Sequence, residues 1–260
     1  MKTLLKIIRD FPWFLWSGWG SVASIFLFIA FWDVGNQLYG DLVLPSPKEV
    51  FISVWSLFES SEFLSDLWLT VRRGMFGFGL SLALGTVLGL LAGYFITASV
   101  MSRPIVTILV GIPPIAWIVL AMIWFGFGDM TVMFTVVVAS FPIVFVGALQ
   151  GSRTLEGELK EMMDSFHIGF LQKCKDLYFP HLFSYLFPSW VAALGMSWKI
   201  VIMAELLSAN DGIGAALAVS RSHLDTPTAL ALVSVMIGVL LFVEYILLEP
   251  IKKEVESWRN

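Results

Sequence analysis

Six long apolar stretches, separated by short polar segments, dominate the pattern of hydrophobic and polar positions along the chain. Each is close to the roughly 20 residues that a helix needs to cross a hydrocarbon core about 30 Å thick. No stretch shows the alternation of polar and apolar residues that is typical of an outer-membrane barrel. The pattern predicts an all-α integral membrane protein with six transmembrane helices, over residues 21–38, 76–96, 104–125, 130–149, 182–206 and 227–248.

Composition and charge placement support this prediction and orient the chain. Apolar residues make up 58% of the sequence and charged residues only 14%, whereas soluble domains carry about 25% charged residues. If the N-terminus is cytoplasmic and the spans alternate, eleven of the 16 Lys and Arg residues lie inside and four outside. Because basic residues concentrate in cytoplasmic loops, we expect both termini in the cytoplasm and one membrane domain over residues 1–260.

Two shorter segments are expected to lie along the membrane surface. Residues 1–20 combine basic residues with Trp13, Trp16 and Trp19 and have no signal-peptide cleavage site, which favours an interfacial helix. A frayed leader is the alternative for this segment. After the first span, Ser46 or Pro47 is expected to begin an amphipathic helix.

The second and third predicted spans carry packing and breaking signals. Ser81, Gly85, Gly89 and Gly93 recur every four residues, so one helix face is small enough for another backbone to approach closely. Pro113 and Pro114 remove two backbone donors, which predicts a kinked or unwound third span. Such a break is tolerated in a bilayer only against protein or a water-filled cavity.

Lys199 is the only basic residue inside a predicted span, where a charge costs about 3 kcal/mol or more. Either it pairs with Asp33 or Glu244, or it faces a translocation path for anions. Breaks and polar groups in the other spans suggest further lining residues. The candidates for the translocation pathway are Pro113, Pro114, Trp117, Ser140, Ser197, Trp198 and Lys199.

The sequence argues against several other functions. It has no GxxxxGK[ST] nucleotide-binding loop, its three histidines are scattered, and its single cysteine, Cys174, forms neither an intrachain disulfide nor a thiolate metal site. No histidine lies in the core of a predicted span to activate a serine nucleophile. We therefore expect no enzyme activity, metal or cofactor in this chain. The basic residues near 153–175 alternate with acids, which does not suggest nucleic-acid binding.

The polar stretch 155–181, between the fourth and fifth predicted spans, combines charges with apolar residues at helical spacing. Such an apolar face would meet water unless a partner protein covered it. We therefore expect a docking site on the cytoplasmic side. The apolar positions are Leu155, Leu159, Met162, Met163, Phe166 and Leu171.

This stretch resembles the cytoplasmic coupling loop of permeases from binding-protein-dependent ABC importers. In those permeases Glu-Ala-Ala is followed by a glycine and, nineteen residues after the glutamate, by Leu-Pro. Glu161, Met162 and Met163 stand at the Glu-Ala-Ala positions, and Phe179 and Pro180 stand at the Leu-Pro positions. The glycine position falls on His167, and the nearest glycine is Gly169.

Further segments resemble the nitrate, taurine, sulfonate and thiamine-precursor branch of these permeases, from about Asp41 to Glu249. They are LVLPSPKEVF, TVRRGMFGFGLSLALGTVLGLLAGY, IPPIAWIVLAMIWFGFGD, SFPIVF and SWKIVIMAELLSANDGIGAAL, in that order.

The resemblance implies a homodimer in a bacterial inner membrane. Two ABC ATPase subunits, which hold ATP and Mg, would dock on the loops, and a periplasmic or lipid-anchored binding protein would deliver a small, anionic or organic solute. It assigns the ATPase-coupling role to Glu161, Met162, Met163, Phe166, His167, Ile168, Gly169, Phe170, Leu171 and Pro180, with Gly169 as the turn.

Two other classes stay open at this point. An ion-coupled secondary transporter or channel would need no ATPase, but it would need acids at helix breaks, and Asp33 and Glu244 lie toward span ends. A scaffold subunit of a membrane complex would use the loop only to hold a neighbour.

Overall fold

The computed structural model describes residues 23–154 and 157–243, and all regular structure in those ranges is helical. In chain order the helices are α1 (residues 23–39), α2 (Pro47–Glu59), α3 (Ser61–Tyr94), α4 (Ile96–Gly111), α5 (Pro114–Phe125), α6 (Asp129–Arg153), α7 (Gly157–Ser165), α8 (Phe170–Lys173), a π-helical turn (Cys174–Tyr178), α9 (Phe179–Ser208), α10 (Ile213–Ser222) and α11 (Thr226–Phe242).

The described residues support a multi-pass membrane protein without fixing its number of spans. Three helices are long and apolar enough to cross a bilayer, namely Ser61–Tyr94, Asp129–Arg153 and the continuous helix Phe170–Ser208. The bent pair α4 and α5 adds a fourth span if it is counted as one, and α11 is a shorter apolar helix. The predicted interfacial segment 1–20 and the end of the sixth predicted span lie outside the described residues.

The helix predicted at Ser46 or Pro47 is confirmed as α2. The Ser46 side chain accepts a hydrogen bond from the backbone N–H of Glu49, and the Glu49 carboxylate accepts one from the backbone N–H of Ser46. Pro47 is the first residue of the helix. A backbone N–H at this position has no hydrogen-bond partner within the helix, so proline fits there although it lacks one. This reciprocal pairing satisfies donors that every helix start leaves free.

The break predicted at the two prolines is confirmed. Pro113 ends the gap between α4 and α5 in extended geometry, and Pro114 is the first residue of α5. The axes of the two helices differ by 93°. The predicted third span is therefore two helices meeting nearly at a right angle.

The core lies where α6 packs between α3 and α9. The small-residue face of α3 meets α6, and a Cβ atom added to Gly89 would lie 2.5 Å from the backbone oxygen of Phe145. On the other side of α6, buried residues from α5, α6 and α9 form a shared apolar cluster. Its members are Ile118, Val132, Val136, Ile200, Val201 and Ala204.

Candidate functional site

Helices α7 and α8 form a short helical hairpin between the two spans α6 and α9. The turn occupies residues 166–169, and α8 continues through the π-helical turn into α9 without a break. An ion pair between Lys173 Nζ and Asp164 joins the two arms of this α7–α8 hairpin. The predicted loop is thus two short helices connected by a turn.

The residue that makes this turn is His167, which corrects the assignment of the turn to Gly169. His167 has φ +53°, whereas Gly169 has φ −63° and ψ 152° and caps the start of α8 in an extended conformation. The backbone N–H of Ile168 donates to Met163 O, and that of His167 donates to Asp164 O. These two bonds are the Schellman arrangement that ends a helix with one left-handed residue, a position that glycine usually fills.

Replacing His167 with glycine should stabilise the turn, because a left-handed conformation costs a side-chain-bearing residue about 1–2 kcal/mol. We expect His167→Gly to slow proteolytic nicking within residues 157–178 severalfold and His167→Val to accelerate it. Gly169→Ala is the control, since a Cβ at that position meets nothing within 4 Å. Equal rates for His167→Gly and the wild type would contradict the assignment of strain to His167.

The hairpin exposes most of the apolar residues in the predicted ATPase-coupling set. The exposed fractions are 74% for Phe166, 73% for Phe170 and 85% for Leu171. Met163 and Ile168, which flank the turn, are half-buried. Large apolar side chains clustered at a polar loop mark an interaction surface.

The structure places the predicted pathway residues in different environments. Ser140 and Ser197 are buried, and their Oγ atoms lie 2.8 Å apart, where they join α6 to α9. The Trp198 indole donates to Met236 O at 3.1 Å and joins α9 to α11. These three residues hold helices together in the described chain, and their place in a pathway stays a prediction.

The other pathway candidates lie at the helix break or at the protein surface. Trp117, in the first turn of α5, has a buried indole Nε1 without a hydrogen-bond partner among the described residues. Lys199 is exposed and forms no ion pair with any described residue. Asp33, one of its two predicted partners, instead accepts a hydrogen bond from Gln37. Glu244, the other, lies outside the described residues.

A partly buried ion cluster, which sequence reasoning did not predict, connects α3, α6, α9 and the loop before α10. Arg73 is 1% exposed and lies at its centre. The guanidinium donates to Glu205 Oε1 at 2.9 Å, to Asp211 Oδ1 at 2.6 Å and, through Nε, to Asp129 Oδ1 at 2.8 Å. Bidentate and multiple contacts of this kind are the strongest hydrogen bonds that a protein forms.

Glu205, which is fully buried, also caps the start of α10. Its Oε2 accepts from Thr70 Oγ1 at 2.8 Å and from the Gly214 backbone N–H at 3.1 Å. A helix N-terminus favours a carboxylate because its first N–H groups lack partners. Gly212 allows this contact, since it has φ +94° and a Cβ there would lie 2.6 Å from Glu205 Oε1.

The sequence did contain a signal for this cluster. Arg73, one of the four basic residues predicted outside the spans, lies within α3, and Glu205 lies near the end of the fifth predicted span. A carboxylate inside an apolar stretch needs a cation at its own depth. The two adjacent arginines at the start of the second span were predicted on the same side as the end of the fifth.

Comparison with known families identifies the chain. The family model described as "Binding-protein-dependent transport system inner membrane component" matches residues 85–251. The chain belongs to this family. The permease is therefore a multi-pass transport component of an inner-membrane family, and its resemblance to the sulfonate, taurine and nitrate branch is confirmed.

Curated relatives match over most of the length of the permease. It is 25% identical to the putative aliphatic sulfonates transport permease protein SsuC of Bacillus subtilis, over 100% of this chain and 95% of the relative. It is 24% identical to the taurine transport system permease protein TauC of Escherichia coli, over 90% and 87%. It is 20% identical to the nitrate import permease protein NrtB of Synechococcus elongatus, over 74% and 73%.

Proposed function

We propose that the permease forms, as a homodimer, the translocation pathway of an ATP-driven importer. Two cytoplasmic ATPase subunits with bound ATP and Mg dock on the 155–181 loops, and an external binding protein delivers the solute. The solute is a small anionic or organic molecule of the nitrate, taurine or sulfonate kind, because the relatives carry those names.

The observation that carries this proposal is the exposed apolar surface of the α7–α8 hairpin. Phe166, Phe170 and Leu171 are each more than 70% exposed, although they lie among charged residues at the end of two apolar spans. Burying one such side chain stabilises a complex by about 1.5–3 kcal/mol. A cytoplasmic partner that covers all three side chains gains enough binding free energy to stay bound.

The geometry also supports a route for mechanical coupling. The hairpin is joined to α9 without a break, and α9 carries both Lys199 and Glu205. When ATP draws the two ATPases together, the docked hairpins move with them and shift α9 relative to α3 and α6. Such a shift requires a partner with different affinities for the two conformations of the permease, and that partner is the nucleotide-bound ATPase pair.

The experiment is retention of the ATPase by the permease reconstituted in nanodiscs. We expect Phe170→Asp and Leu171→Asp to weaken ATPase binding at least tenfold, which corresponds to about 1.4 kcal/mol each. Stimulation of ATP hydrolysis by the loaded binding protein should fall with retention. Phe51→Asp on α2 is the matched control, because Phe51 is 70% exposed but lies outside the hairpin.

Two outcomes would overturn the proposal. The first is a wild-type permease that retains no ATPase and transports nitrate or taurine without one, which is the behaviour of an ion-coupled carrier. The second is full retention by both hairpin variants, which would move the docking surface elsewhere.

A further inference from the structure

A groove between α9 and α11 contains the one unpaired cation on the described part of α9. It has a volume of about 290 Å³, near the lower end of the roughly 300–1,000 Å³ of small-molecule pockets. Lys199 is its only charged lining residue, and the others are Val191, Ala192, Leu194, Gly195, Met196, Leu240 and Val243. An ammonium group therefore faces an otherwise apolar recess.

Lys199 lies too deep in the bilayer to be left facing lipid. Lys199 lies about 9 Å nearer than Glu205 to the middle of the fifth predicted span, 182–206, because six residues of α-helix rise about 1.5 Å each. A charge at such depth costs about 3 kcal/mol or more against hydrocarbon. No described residue forms an ion pair with it, so within the described part of the chain only water or a ligand can solvate the ammonium.

Gly195, one helical turn before Lys199, adds open space to this groove. A glycine inside a helix is less favourable than alanine by about 0.5–1 kcal/mol, so it usually has a packing reason. The glycines of α3 that meet α6 have one, since a Cβ at Gly85 or Gly89 would overlap α6. A Cβ at Gly195 meets nothing within 4 Å in the described chain, so its lack of a side chain leaves room one turn from Lys199.

We propose that the groove beside Lys199 and Gly195 is an anion-binding subsite of the translocation pathway, an inference that rests on the proposed function and adds the charge class of the solute. The ammonium attracts the nitrate or sulfonate group, and Gly195 leaves space for it against the helix backbone. The apolar walls accept the organic part of a larger sulfonate. A single cation without a counter-charge among the described residues attracts an anion into the membrane but holds it weakly enough for release.

The test places a reactive thiol in the groove. In a full-length permease whose only cysteine, Cys174, is replaced by serine, Gly195→Cys is treated in nanodiscs with an anionic and a cationic methanethiosulfonate. The measured quantity is the reaction rate of the anionic reagent divided by that of the cationic reagent. This ratio should be about tenfold higher with Lys199 than in the Lys199→Met variant, because one unit charge nearby changes local ion concentration by that order. Lys199→Arg should retain the preference, and millimolar nitrate or taurine should slow the anionic reagent.

Gly79→Cys on α3 is the matched control, because Gly79 also has an unoccupied Cβ position and lies on a span without Lys199. Its reagent preference should not change with Lys199→Met. The subsite is refuted if Gly195→Cys resists both reagents, or if Lys199→Met leaves the preference unchanged. The ATPase takes no part in this assay, so retention of the ATPase together with a negative result would remove only the subsite and leave the importer assignment standing.

Discussion

Replacing Arg73 with alanine is expected to lower the free energy of unfolding of the permease by about 3–5 kcal/mol, because the substitution leaves Glu205 buried without its cation. Glu205 is 0% exposed and has no access to water in the described chain. The measurement is the thermal midpoint of the detergent-solubilised protein, followed by tryptophan fluorescence and checked by size-exclusion profile. Loss of monodisperse protein after solubilisation is the extreme form of the same result.

The neighbouring residue Arg72 is the control. Its side chain is 54% exposed and lies 3.3 Å from Asp129. Exposed ion pairs contribute about 0–1 kcal/mol, so Arg72→Ala should leave the thermal midpoint nearly unchanged. The double variant Arg73→Met, Glu205→Met should be more stable than Arg73→Met alone, since it removes the orphaned charge. Equal losses for Arg72→Ala and Arg73→Ala would show that the cluster does not stabilise the fold.

The second large effect is expected at the contact between α3 and α6. Gly89→Ala should destabilise the permease by about 1–3 kcal/mol or more, because overpacking forces the helices apart. The added Cβ would lie 2.5 Å from Phe145 O and 2.6 Å from Ala148 Cβ, and the former is backbone that cannot rotate away.

Gly79→Ala, on the same helix, should stabilise the permease. Its Cβ meets nothing within 4 Å, so only the better helix propensity of alanine remains, which is worth about 0.5–1 kcal/mol. The pair is best compared by thermal midpoint in one detergent. Stabilisation by both substitutions would mean that α3 and α6 are not in close contact.

The sequence predicted those parts of the fold that depend on local composition. Apolar runs located the three helices that are long enough to cross a bilayer, the prolines at 113 and 114 located the break, and the four-residue spacing of small residues on α3 located a close helix contact. Each of these follows from a few neighbouring residues. The outer bounds were less accurate, because α3 begins at Ser61 in a more polar segment that an apolar window does not include.

The ion cluster and the turn geometry depended on information that is not local. Arg73 and Glu205 are 132 residues apart, and nothing in either neighbourhood specifies the other as partner. At the turn, the resemblance marked the correct position, but the preference of glycine for left-handed backbone favoured Gly169. The hydrogen bonds that end α7, from His167 N–H to Asp164 O and from Ile168 N–H to Met163 O, instead require the left-handed residue at His167.

The helix from α8 through α9 is continuous, so it can transmit a displacement along its axis. Its 39 residues span about 58 Å, roughly twice the thickness of a hydrocarbon core. A displacement of Phe170 along the helix axis therefore reaches Lys199 and Glu205 unless the helix bends. The π-helical turn and Pro188 are the places where it bends most readily. In the proposed importer, the stiffness of the helix at those two places would set how much of an ATP-driven movement of the hairpin reaches Lys199 and Glu205.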